Sequence, residues 1–146
     1  KKIIKKVNKK IGKYTKFTFD DIHKLPKNRL VLACIKDIIK VNRNIKTSED
    51  FKRYIKDEWQ GDFGKDYKNS KIKPEIAIPE KEAEKRLLDT RYKRFFLEDP
   101  IEFEDEQKLV VSNQWGANFK TFINAISNES NEFIETWKKI KVYEKE

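Results

Sequence analysis

The chain has 146 residues and a mass of 17.6 kDa, which suits one domain with a buried core and excludes two full ones. Charged residues make up 40% and hydrophobic ones 37%, yet ten Phe, five Tyr and three Trp supply more aromatic surface than a disordered chain carries, so folding is expected. The net charge of +9 is uneven: residues 1–27 hold +8, residues 28–73 hold +5 and residues 74–146 hold −4.

In chain order, residues 1–13 place Ile3, Ile4, Val7 and Ile11 three or four apart among lysines, the pattern of a short basic amphipathic helix. Lys5, Lys6, Lys9, Lys10 and Lys13 of that segment are candidate phosphate contacts. The segment also suits docking on an anionic membrane surface, on its own domain or on a partner helix. Residues 1–16 are read as this appendage and residues 17–146 as one α+β domain. Residues 14–19 alternate as a short strand, and Pro26 closes the turn that follows.

From Asn28, a candidate N-cap, Leu30, Val31, Ala33, Cys34, Ile35, Ile38 and Ile39 recur at helical spacing. Cys34 falls in this core stripe and reads as a small buried hydrophobe. Thr47 or Ser48 caps a second helix expected over residues 49–59, with acids in its first turn. Gly61 and Gly64 break that pattern, and Lys65, Tyr67, Lys68, Lys71 and Lys73 follow as a basic connector, again candidate nucleic-acid contacts.

A third helix is expected over residues 79–88, with Pro79 at its first position and residues 91–94 marking its end. Residues 95–97, 101–103 and 109–112 read as strands, the last two joined across 104–107 as a hairpin. Phe119, Phe122, Ile123 and Ile126 mark one face of the next helix. Phe133, Ile134, Trp137 and Ile140 mark a closing helix over 132–142. Helix, helix, basic connector and late hairpin resembles the order of a winged-helix domain, in which a helix enters the major groove and the hairpin touches the backbone.

Arg29-Leu30-x-x-Ala33, Glu58-Trp59-Gln60-Gly61-x-x-Gly64, Arg91-Tyr92 and Val111-Ser112-Asn113-Gln114-Trp115-Gly116-x-Asn118-Phe119-x-x-Phe122-Ile123 resemble, in the same order, blocks of a set of small, poorly characterised bacterial domains. Those domains accompany restriction, mobile-element and other DNA-transaction proteins, so the resemblance implies a DNA-related accessory module, and it shows no catalytic residues. It spans about residues 17–127. The longer stretch between Gly64 and Arg91 and the added terminal helices depart from it.

Two readings stand for Gln114, Trp115 and Asn118. Trp115 offers a stacking face and the amides suit adenine edges, so the three form a candidate base-contacting set. Structurally, Trp115 plugs the core, Gly116 permits a tight backbone and Asn118 caps the helix. Catalysis has little to build on. Glu106-Gln107-Lys108 with Asp99 or Glu104 has the composition of a metal-dependent nuclease centre, but the acids fall in a hairpin turn at poor spacing. Cys34 would need a base, and His23 is the one histidine. No phosphate-loop, zinc or other cofactor motif is present, and no cofactor is expected.

DNA is therefore the expected partner, because a basic half concentrates a polyanion. A Lys-rich surface inherited from base composition is the functionless alternative. A protein-interaction module docking through the amphipathic start and the helix bearing Trp137 is the rival function. No run of eighteen apolar residues exists to span a membrane, no secretory signal is expected, and the single cysteine suits a reducing, cytoplasmic compartment. The lack of Met, even at position 1, points to a fragment of a longer protein.

Overall fold

The computed structural model describes residues 11–60, 75–116, 118–128 and 131–143. Among them it contains five α-helices and two three-stranded antiparallel sheets, an α+β architecture. The expected amphipathic helix over 1–13 and the basic connector over 65–73 lie almost wholly outside the described residues.

Strand β1 (Phe17–Phe19) buries both phenylalanines and turns Thr18 outward, as its alternation predicts, although it is shorter than expected. The following segment is not only a turn. With Asp20 left-handed at φ 57°, the chain reverses into β2 (Ile22–Leu25), which pairs with β1 across a bulge. Helix α1 (Lys27–Val41) then buries Leu30, Val31, Cys34, Ile35 and Ile38 at 1% exposure or less. Its N-cap is Pro26 and not Asn28, whose side-chain amide instead donates to the Asn113 carbonyl at 3.4 Å.

Helix α2 (Ser48–Tyr54) starts at Thr47 through a capping box: Thr47 Oγ1 accepts from the Asp50 N–H, and the Asp50 carboxylate accepts from the Thr47 N–H. It stops five residues before the expected end. Ile55 is extended, and Asp57–Gln60 forms a 3₁₀ turn in which the Asp57 carboxylate accepts from the Ile76 N–H at 3.0 Å. That bond sets the start of β3 (Ala77–Pro79), an unexpected strand that makes Pro79 the N-cap of α3 (Glu80–Thr90).

The expected hairpin forms from β4 (Ile101–Glu102) and β5 (Lys108–Val111), while residues 95–97 contribute only a bridge between Phe95 and Ser112. The second sheet has the order β3-β5-β4. Helix α4 (Phe119–Asn128) buries its expected face, with Phe119, Phe122, Ile123 and Ile126 at 2% exposure or less.

The closing helix is a correction. A 3₁₀ turn (Asn131–Phe133) and the short α5 (Ile134–Trp137) lead into β6 (Ile140–Val142), which lies antiparallel on the free edge of β1. Alternating Ile140 and Val142 satisfy that edge better than one more helical turn could, since the two ends of the fold meet there. One core cluster joins β1, α1, α4, β5 and β6, with Trp59 edge-on to Phe122 and Phe133. Among the described residues, no helix is long and apolar enough to cross a membrane.

Candidate functional site

The exposed segment 91–94 is built by the end of α3. Arg91 adopts φ 63°, which stops the helix, and Thr90 Oγ1 donates to the Arg86 carbonyl and accepts from the Tyr92 N–H. Asn113, next to the Phe95–Ser112 bridge, then clasps the segment. Its backbone N–H donates to the Arg94 carbonyl at 2.9 Å and its side-chain amide to the Lys93 carbonyl at 3.1 Å. The backbone is thus held at several points while its side chains remain in water.

Those side chains are organised. The Arg94 guanidinium lies 5.5 Å from the centroid of Tyr92, and its Nη1 donates to Gln114 Oε1 at 3.3 Å. Gln114 Nε2 in turn donates to Asn113 Oδ1 at 2.6 Å. Tyr92 is 67% exposed, so much of its side chain meets water.

Charge gathers beside it. Glu98 takes Lys93 Nζ at 2.8 Å on one oxygen and Arg29 Nη2 at 3.1 Å on the other, and the Lys93 hydrogen bond, above its other causes, holds the carboxyl below the usual range. The Arg29 guanidinium also sits 4.5 Å over Phe96. Asp99 next to it is neutralised by Lys36. The first turn of α1 contains no acid, yet it carries Lys27 and Arg29 at the positive end of the helix dipole. Arg29 and Lys93 therefore share one doubly paired carboxylate, and Arg91 and Arg94 lie on the same exposed segment as Lys93.

Of the residues picked out by sequence, Gln114 belongs to this cluster. Trp115 is 7% exposed, its indole N–H donates to the Ser112 carbonyl at 2.7 Å, and its ring meets Phe122 edge-on, the geometry of a core plug. Asn118 does not cap α4 with its side chain. Its Oδ1 accepts from the Gly116 N–H and its Nδ2 donates to the Gln114 carbonyl, so it shapes the preceding turn. Gly116 is not sterically required, because a Cβ there would meet nothing within 4 Å. Lys13 stands beside the exposed Tyr14, 5.4 Å from its ring centroid. Lys5, Lys6, Lys9, Lys10, Lys65, Tyr67, Lys68, Lys71 and Lys73 lie outside the described residues.

Reading the sequence for lysine density missed Arg29 and residues 91–94 as a surface. The signal was present in Arg91-Tyr92-Lys93-Arg94, an aromatic residue enclosed by cations just beyond a helix. The catalytic candidates are spread among structural partners. Burial and then the nearby Asp37 push the Cys34 thiol well up, opposite to the shift a nucleophile needs, and His23 is exposed with its Nδ1 3.3 Å from Thr18 Oγ1. Asp105 accepts from Ser48 Oγ and the Gln107 N–H, while Glu106 holds a left-handed turn position. Among the described residues, no group of three or more His, Cys, Asp or Glu is placed to hold a metal ion.

No protein-family model matches the chain, no curated protein matches its sequence, and no solved structure matches it.

Proposed function

We propose that this chain is a DNA-binding accessory module that grips nucleic acid mainly through phosphates, in the service of a restriction, defence or mobile-element system. One observation carries the reading: Arg29 and Lys93 meet on a single carboxylate, Glu98, beside an acid-free helix start, and Arg91 and Arg94 lie on the same exposed segment as Lys93. Cations at a helix N-terminus are disfavoured by the dipole, by about 0.3–1 kcal/mol each, and a bound anion would offset that cost. The basic segments at residues 1–13 and 65–73 would add to the same electrostatic footprint.

In a winged-helix-like arrangement, β4 and β5 would supply the wing. Glu104, Asp105 and Glu106 make that tip acidic, and Asp105 is bonded to Ser48 at the start of α2. A phosphate backbone would be repelled there. The contact surface is therefore assigned to residues 91–94, Arg29 and Gln114, not to the hairpin turn.

The test is fluorescence anisotropy of a labelled duplex with the whole chain over a range of salt. Expected is an affinity that falls steeply with salt, and a log–log slope that shrinks by about one when Arg91 or Lys93 is replaced by Ala. Binding that ignores salt, or that survives the triple change of Arg91, Lys93 and Arg94 to Ala unaltered, would defeat the assignment. Capture of a protein partner by a salt-insensitive surface would favour the interaction-module alternative, although Trp137 is half-buried against the core and not presented on a free helix.

A further inference from the structure

We infer that the Tyr92–Arg94–Gln114 ledge takes an unpaired base, so that the preferred ligand is single-stranded or locally opened nucleic acid and not intact duplex; this rests on the nucleic-acid reading above. A phosphate site asks only for cations free to point their donors at oxygen. Arg94 is only partly free to do so. Its guanidinium lies over the face of Tyr92 and one of its donors is taken by Gln114 Oε1, so the cation is held against the ring.

With one face of Tyr92 occupied and the residue 67% exposed, the rest of the ring opens to solvent. A large aromatic side chain held in water by a fixed backbone is a stacking platform, and bases stack on such platforms with little regard to sequence. The Gln114 amide stands at the rim of the ledge, where its remaining donor and acceptor capacity can meet a base edge. Arg91 and Lys93 flank the ring in sequence, so cations for the phosphates on either side of a stacked nucleotide are at hand. A base inside a duplex has both faces covered by its neighbours, so only an unpaired one can use the ledge.

The experiment compares three labelled probes of equal length with the whole chain: a mixed-sequence single strand, the same strand with consecutive abasic sites at its centre, and the duplex. The single strand should bind about tenfold more tightly than the abasic strand, which has the same phosphates. Tyr92→Ala should erase that difference, and Tyr92→Phe should retain most of it, with circular dichroism verifying the fold of each variant. Equal affinity for the intact and abasic strands, with Tyr92→Ala silent, would overturn the stacking site and leave a phosphate-binding module standing. Absence of salt-sensitive binding to all three probes would overturn both.

Discussion

Lys139 Nζ lies 2.8 Å from Asp37 Oδ1, a contact between residues 102 positions apart that ties the middle of α1 to the segment leading into β6. Thr136 Oγ1 donates to the other Asp37 oxygen at 2.7 Å. The Asp37 side chain is 11% exposed, so both bonds act where water competes poorly. Asp37→Ala would leave Thr136 and Lys139 without their acceptor, and a loss of about 2 kcal/mol is expected. Asp37→Asn keeps one acceptor and should lose less. Urea unfolding of the two variants checks the order.

Acid should weaken the fold through Asp50 and Glu98. Backbone N–H bonds from Lys46 and Thr47 hold Asp50 below its ordinary 3.8, and Lys93 leads the causes that hold Glu98 below 4.5. A carboxyl whose value is depressed in the folded state contributes stability above its unfolded value and loses it as pH falls through the folded one. Stability should therefore drop from about pH 4.5 downward. Asp50→Asn should flatten that acid limb, measured as the urea midpoint at stepwise lower pH. Lys139 has the opposite sign: Asp37 raises it above 10.5, so its contribution fades only in strong alkali.

Trp115→Phe separates the two roles weighed for that residue. The ring volume is largely kept, but the Ser112 carbonyl loses the indole donor, which should cost about 1–3 kcal/mol. Nucleic-acid affinity should be unchanged once the protein is folded. A large fall in affinity at unchanged stability would return Trp115 to the binding surface.

Phe122→Ala should be among the most damaging single changes in α4. Its ring sits 5.2 Å from Trp115 and 6.0 Å from Trp59 in edge-on geometry, with no exposure of its own. Removing it should cost about 3–5 kcal/mol and alter tryptophan fluorescence in the folded state. Thermal unfolding with fluorescence detection reads both effects.

Glu98→Gln tests the sign of the charge cluster. Removing the carboxylate from between Arg29 and Lys93 frees two cations, so affinity for a polyanion at low salt should rise by about two- to fivefold. The pair is solvent-exposed, so stability should change by about 1 kcal/mol or less. Weaker binding would mean that Glu98 positions the cations and does not oppose the ligand.

The fold was legible wherever the governing interactions are local. The 3.6-residue stripes of α1 and α4, the Thr47 capping box and the reversal between β4 and β5 each follow from residues within a turn or two of one another. Strands β2 and β3 were not legible, because β2 is mostly exposed and β3 buries Ala77 and Ile78 in succession, so neither shows an apolar–polar alternation, and β6 reads as part of a helix. Residues 140–142 have equally good helical spacing from Phe133 and Trp137 until an unpaired β1 edge is placed beside them.

The same division governs the candidate site. Amino-acid order alone establishes the basic first half, the acidic last half and the Arg91–Arg94 run, since charge needs no fold to exist. Folding adds the convergence: Asn28 meets Asn113 across 85 positions, Arg29 meets Glu98 across 69, and Arg94 meets Gln114 across 20. Folding also withdraws Trp115 into the core and leaves Tyr92 in water. Both outcomes depend on which apolar faces find each other, a property of the whole packed chain that no short window of sequence contains.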